Sequence, residues 1–141
     1  MKSVDISDGV EYIGEEAFGG CMGLGEVRLP LSMEIIKRGT FTICALEEVI
    51  ITNSVKVIDE EAFQGCPLIK RVKLSNNLVK ISKKAFFLCI TLEELIIPRS
   101  VEIIEYDAFR ECNSLKKVEL EHDSYEDITI HDKKLRNILG I

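Results

Sequence analysis

The sequence predicts a repeat solenoid, and three observations predict it. A hydrophobic skeleton recurs about every 23 residues along the 141. Eight columns of that skeleton stay in register over five copies. Each copy also carries L-x-x-V-x-L, whose last four positions alternate outside and inside in the manner of a short strand. A unit with one apolar side cannot bury it alone, so the copies stack and each turn covers its neighbours.

In chain order, "SVDIS" at residues 3–7 places Val4 and Ile6 where the next copy has Val27 and Leu29. Residues 3–9 are therefore read as a partial repeat. Full repeats begin at Val10, Met33, Val55, Leu78 and Val101. The later columns hold Ile13, Ile36, Ile58, Ile81 and Ile104, then an alanine, a phenylalanine, a cysteine, Leu24 and its equivalents, and the two inward strand positions. Only Thr40, in the alanine column, breaks the apolar rule. One residue is missing between Cys44 and Leu46, a cheap deletion in a turn. Residues 121–141 read as an irregular C-terminal cap, with residues 1–141 forming one domain.

The strands stack in parallel about 4.8 Å apart. The other half of each unit, V-x-x-I-x-x-x-A-F-x-x-C, keeps no helical period long enough for a helix. It reads as an extended piece, able to form a second narrow sheet, followed by a tight turn or 3-10 segment. After the last strand, Ile128 and Ile130 fit one more short strand. Asp132 fits the N-cap of a helix with Leu135, Ile138 and Leu139 on one face, shielding the end of the stack. The amino-terminal end is less protected, with Ile13 and Phe18 near an open face, so association of copies through repeat ends or edges is expected.

The order aliphatic, isoleucine, Ala-Phe, cysteine, L-x-x-V-x-L resembles the leucine-rich repeat family of the BspA-like type over about residues 3–121. Ala17-Phe18, Ala62-Phe63, Ala85-Phe86 and Ala108-Phe109, the cysteine column, Pro30-x-Ser32 and Pro98-x-Ser100 carry the resemblance. Thr40, the short turn after Cys44, and Thr52 and Ser75 in place of proline depart from it. It implies a right-handed leucine-rich repeat stack with a parallel sheet on the concave face and short turns, 3-10 segments or a narrow second sheet on the other side. It also implies an interaction role at a cell surface or in adhesion, and it supplies no catalytic residue.

Composition excludes several function classes. A hydrophobic content of 46% is that of a folded domain. A formal charge of -6 argues against nucleic acid, whose binding leans on basic patches. No apolar run is long enough for membrane insertion, and the amino terminus lacks the pattern of a signal peptide. The chain as written reads as cytoplasmic, or as an excised piece of a secreted or cell-surface protein. Cys21, Cys44, Cys66, Cys89 and Cys112, one per repeat, read as a column of small buried hydrophobes with reduced, inert thiols. Inward parallel side chains disfavour disulfides, and a rung every 23 residues offers no zinc spacing. The only histidines, His122 and His131, lie in the tail, and no catalytic constellation or cofactor site can be assembled, so no enzyme is expected.

Function then falls to outward positions. One strand-face column is Glu26, Glu48, Arg71, Glu94 and Lys117; the other is Arg28, Ile50, Lys73, Ile96 and Glu119. The sign alternates from rung to rung in the turn before Ala-Phe and, from the second repeat on, across the strand face, which specifies register and cancels any large electrostatic face. Ile50 and Ile96 flank Lys73 and, with Glu48, Arg71 and Glu94, form the candidate surface for a protein partner. The competing reading is a structural or self-associating spacer with ordinary exposed aliphatics. Phe87, Leu88 and Ile43 are too apolar for solvated turns, which raises a lateral contact between copies.

Overall fold

A computed structural model describes residues 2–141. Each repeat makes two short strands, one per long side of a flattened coil, and the strands stack in parallel. On the L-x-x-V-x-L side lie β1 (Lys2–Asp5), β2 (Leu24–Arg28), β4 (Glu48–Ile50), β6 (Arg71–Lys73), β8 (Glu94–Ile97) and β10 (Lys117–Leu120). They form three ladders, β1 with β2, β4 with β6 and β8 with β10. Between ladders, single backbone bonds such as Glu47 N–H to the Gly25 carbonyl and Glu93 N–H to Lys70 hold neighbouring rungs together.

On the opposite side β3 (Ile35–Ile36), β5 (Val57–Ile58), β7 (Lys80–Ile81), β9 (Ile103–Ile104) and β11 (Thr129–Ile130) form one continuous five-stranded sheet. The narrow sheet anticipated from the isoleucine column is thus the one that runs unbroken through the stack.

The core is the repeat skeleton itself. Phe18, Phe41, Phe63, Phe86 and Phe109 stack face to face, with ring centroids 5.2–5.5 Å apart. Thr40 is buried without penalty because its hydroxyl donates to the Lys37 carbonyl at 2.8 Å.

The turn beside these rings uses two left-handed residues per rung. One column is Glu16, Gly39, Glu61, Lys84 and Asp107; the other is Gly20, Ile43, Gly65, Leu88 and Glu111, all with positive φ. Alternating φ turns every second N–H along the stack, where it meets the next rung. Phe41 N–H donates to the Ala62 carbonyl, Phe63 to Ala85 and Phe86 to Ala108, each at 2.8 Å. A small residue precedes each phenylalanine, alanine in four rungs and Thr40 in the second, and from the second rung on it is buried.

Two expectations need correction at the amino-terminal end. The extended piece of the first repeat, residues 10–13, forms no strand, so β3 is the edge of its sheet. The cysteine column is buried in four rungs, but Cys21 is exposed. Both have one cause: β1 covers only the strand half of the first repeat, and among the described residues no rung lies over the rest. Ala17 is exposed and Ile13 and Phe18 are half-buried for the same reason.

At the other end, Asp132 caps α1 (Lys133–Leu139), accepting from Leu135 N–H at 2.9 Å. Gly140 in the left-handed conformation ends the helix. Leu135 is fully buried, and Ile138 and Leu139 pack on the core.

Candidate functional site

The strand face is built by the alternation within L-x-x-V-x-L. Val49, Val72 and Leu95 point into the core, which forces their neighbours outward. All six residues of the candidate surface are exposed: Glu48 and Ile50 on β4, Arg71 and Lys73 on β6, Glu94 and Ile96 on β8. The register sets Glu48 beside Arg71 and Ile50 beside Lys73. Arg71 Nε lies 4.0 Å from Glu94, and Lys117 Nζ lies 4.0 Å from the same carboxylate. Glu94 is therefore shared between two cations, one in the rung on either side.

The second column behaves differently. Ile50 is 60% exposed and Ile96 is 52% exposed, and among the described residues Lys73 makes no ion pair. Beside Lys73 and Ile96 runs a shallow groove of about 410 Å³, bordered also by Arg71, Lys117 and Glu119, while Ile50 borders a separate trough with Arg28 and Glu48. The groove is open, with Val72 and Leu95 in its floor.

Charge alternation elsewhere serves the stack. Arg38 pairs with Glu61 at 3.8 Å, Lys56 with Glu34 at 3.4 Å, Lys80 with Glu105 at 3.5 Å and Arg99 with Asp123 at 3.5 Å, each between adjacent rungs. Arg28 holds Asp5 at 2.6 Å and Asp8 at 3.0 Å, tying the first strand to the second, and these hydrogen bonds raise its pKa. Such exposed pairs add little stability singly, but they penalise a slipped register.

The cysteines do more than fill space. Each buried thiol donates to the phenylalanine carbonyl of the preceding rung: Cys44 to Phe18, Cys66 to Phe41 and Cys112 to Phe86 at 3.1 Å, and Cys89 to Phe63 at 3.2 Å. Burial pushes Cys44 up to about 11 and Cys66 and Cys112 up to about 12, and raises Cys89 as well. These thiols stay protonated and unreactive at neutral pH. Among the described residues, no group of His, Cys, Asp or Glu side chains could hold a metal ion, and no helix is long and apolar enough to cross a membrane.

A second exposed apolar region lies at the turn edge between phenylalanine and strand. It comprises Ile43 and Leu88, recognisable from sequence, and Met22, Leu68 and Ile90, which are 44–53% exposed and were not singled out. The signal for the latter three is present in the sequence: residues 17–25, 40–46, 62–69 and 85–92 contain no charged residue.

Parallel strands stacked at a fixed repeat, a packed interior and an open strand face define a leucine-rich repeat solenoid. The chain belongs to the family described as BspA type leucine rich repeat region, whose model matches residues 1–132 in 6 copies. It is similar to a leucine-rich repeat protein from Bacteroides ovatus ATCC 8483, at 28% identity and TM-score 0.65, covering 83% of this chain and 37% of that one. A leucine-rich repeat protein from Bacteroides capillosus ATCC 29799 matches at 36% identity and TM-score 0.60 over 63% of this chain and 64% of its own. A T. pallidum leucine rich repeat protein shares the fold at 20% identity and TM-score 0.66 over 91% of this chain and 66% of that one. The chain thus spans less than two thirds of the length of the two Bacteroides relatives. No curated protein matches it.

Proposed function

We propose that the strand face binds a protein partner, with Ile50, Lys73 and Ile96 at the centre of the contact and Glu48, Arg71 and Glu94 at its rim. The observation that carries this reading is the middle column, where two isoleucines stand exposed on either side of a lysine that makes no ion pair among the described residues. Interface centres favour desolvated apolar anchors, and rims favour charges that steer the approach. Solenoids use extended faces of this kind for recognition, and the family resemblance adds a surface or adhesion setting.

The test is a pull-down from the native source extract with wild type and the double variant Ile50→Asp, Ile96→Asp, after both are shown to melt at the same temperature. Loss of partner recovery supports the strand face. Equal recovery by a folded double variant rejects it.

A further inference from the structure

The first rung leaves a row of backbone acceptors open. From each rung to the next, the turn beside the phenylalanine is joined by three hydrogen bonds that all run the same way. Glu16, Phe18 and Gly20 N–H donate to the Arg38, Thr40 and Thr42 carbonyls, and, further along, Lys84, Phe86 and Leu88 N–H donate to Tyr106, Ala108 and Arg110. The carbonyls that hold these places in the first rung belong to Glu15, Ala17 and Gly19, and among the described residues no backbone donor reaches them. The Phe18 ring likewise has a stacking partner on one side only, and Ala17 and Cys21 are exposed.

Three features define what fits there. The acceptors stand two residues apart and share one direction, so their counterpart is a segment in the same alternating turn, offering N–H groups at i, i+2 and i+4. In every rung the middle donor is the phenylalanine, whose ring would continue the stack over Phe18. The charge is fixed as well. The acidic third and fifth rungs are each paired by a cation of the rung before, Arg38 with Glu61 at 3.8 Å and Lys80 with Glu105 at 3.5 Å. The acidic turn of the first rung carries Glu15 and Glu16, and among the described residues neither makes an ion pair. A second copy meets these demands by neither end. Its own first rung would set carbonyls against carbonyls and glutamates against glutamates. At its other end the middle donor, Phe109 N–H, is already held by Asp132 Oδ1, and that carboxylate would face the Ala17 carbonyl.

We propose that the open end of the first rung binds, as an added rung, an Ala-Phe turn of another polypeptide with basic residues just ahead of the phenylalanine. The chain holds an example of that chemistry in residues 80–89, "KISKKAFFLC", which cover the acidic fifth rung through the three bonds from Lys84, Phe86 and Leu88. The docked segment would place its three donors on Glu15, Ala17 and Gly19 and its cations beside Glu15 and Glu16, so hydrogen bonds set its register and charge selects it.

Chemical-shift titration of the isotope-labelled full chain tests this with three end-capped peptides: residues 80–89 carrying Cys89→Ser, the same peptide methylated on the Phe86 nitrogen, and the acidic residues 57–66 carrying Cys66→Ser. The basic peptide gives saturable shifts confined to residues 13–21, largest at the carbonyl carbons of Glu15, Ala17 and Gly19. Methylation removes the middle donor and weakens binding by at least about tenfold, and the acidic peptide is as weak. The double variant Glu15→Lys, Glu16→Lys melts with wild type, both positions being exposed, and reverses the preference between the two charges. Absence of a saturable shift at the solubility limit of the basic peptide overturns the proposal. So does equal binding of the methylated peptide, which would reduce the contact to charge, or equal binding of the acidic one. Concentration-dependent shifts of residues 13–21 in the chain alone overturn it too, and would assign the end to a second copy. Because no strand-face residue takes part, failure here leaves the strand-face reading untouched.

Discussion

Asp132 takes the place of a missing rung for Phe109. In the four repeats before it, the phenylalanine N–H donates to a carbonyl of the next rung; Phe109 N–H instead donates to the Asp132 Oδ1 at 3.0 Å. The other oxygen of the same carboxylate caps α1 through Leu135 N–H at 2.9 Å. One buried side chain thus ends the inter-rung ladder and begins the helix that covers it. Asp132→Ala leaves two backbone donors without partners, and is expected to cost about 3 kcal/mol, the sum of a lost N-cap and a buried unsatisfied N–H. Denaturant unfolding measures this, and a loss under about 1 kcal/mol would show that water replaces the carboxylate.

The same residue gives a pH dependence. Burial raises the Asp132 pKa above its ordinary 3.8, outweighing the hydrogen bonds from Phe109 and Leu135 that lower it. The folded state therefore holds the proton more tightly than the unfolded state. The contribution of this group is fully present below the unfolded value and is lost as pH rises through the folded one. Asp132→Asn removes that titration. The stability of wild type relative to Asp132→Asn should fall as pH is raised from 3 to 7, measured by thermal melting; a difference that grows with pH contradicts the sign.

The phenylalanine stack predicts a gradient along the coil. Phe63 is fully buried, with rings at 5.4 Å on one side and 5.2 Å on the other. Phe18 has one neighbour, Phe41 at 5.5 Å, and is half-buried. Phe63→Ala should cost about 4 kcal/mol and Phe18→Ala about half of that, since the end of the stack has less to lose and can collapse. Equal losses would mean that the first rung is as well packed as the third.

Gly65 tests the turn. It lies at φ 70°, and a Cβ there would stand 3.4 Å from Ile43 Cγ1. Gly65→Ala should destabilise by about 1 kcal/mol through the left-handed backbone alone. Lys84→Gly, at φ 58°, should do the reverse by a similar amount. Paired melts of the two variants decide whether conformation or packing governs this turn.

What the sequence conveyed follows from what repeats can and cannot encode. Ile58, Phe63, Val72 and Leu74 are apolar in every copy because each is buried by a neighbour of the same kind, so period alone identifies them. Asp132 was recognisable as an N-cap, since a lone aspartate before Leu135, Ile138 and Leu139 has a local signature. Its second role, bonding Phe109, spans 23 residues and leaves no local mark. The left-handed turn was equally hidden, because only Gly20, Gly39 and Gly65 among its ten positions announce it. Cys21 looked like its four equivalents, and only the absence of a covering rung makes it different. Ile50 and Ile96 were visible as outward positions, for strand alternation fixes which way they point.

The thiol ladder yields the last prediction. Cys66 is fully buried and donates to the Phe41 carbonyl, while Cys21 is exposed with no rung before it. In the folded protein iodoacetamide at pH 8 should modify one thiol, at Cys21, and the remaining four only after denaturant is added. Cys66→Ala should cost about 2 kcal/mol, combining a lost hydrogen bond with a small void, whereas Cys21→Ala should stay within about 0.5 kcal/mol. Burial also holds the inner thiols protonated, with Cys44 at about 11 and Cys66 and Cys112 at about 12 against an ordinary 9.0. The folded state then binds protons that the unfolded chain has released. This stabilisation is complete below pH 9.0 and is lost as pH rises towards the folded values, so alkaline unfolding should begin above pH 9.0. Replacing Cys66 by alanine should flatten that alkaline limb, and an unchanged limb would place its origin in the lysines or tyrosines instead.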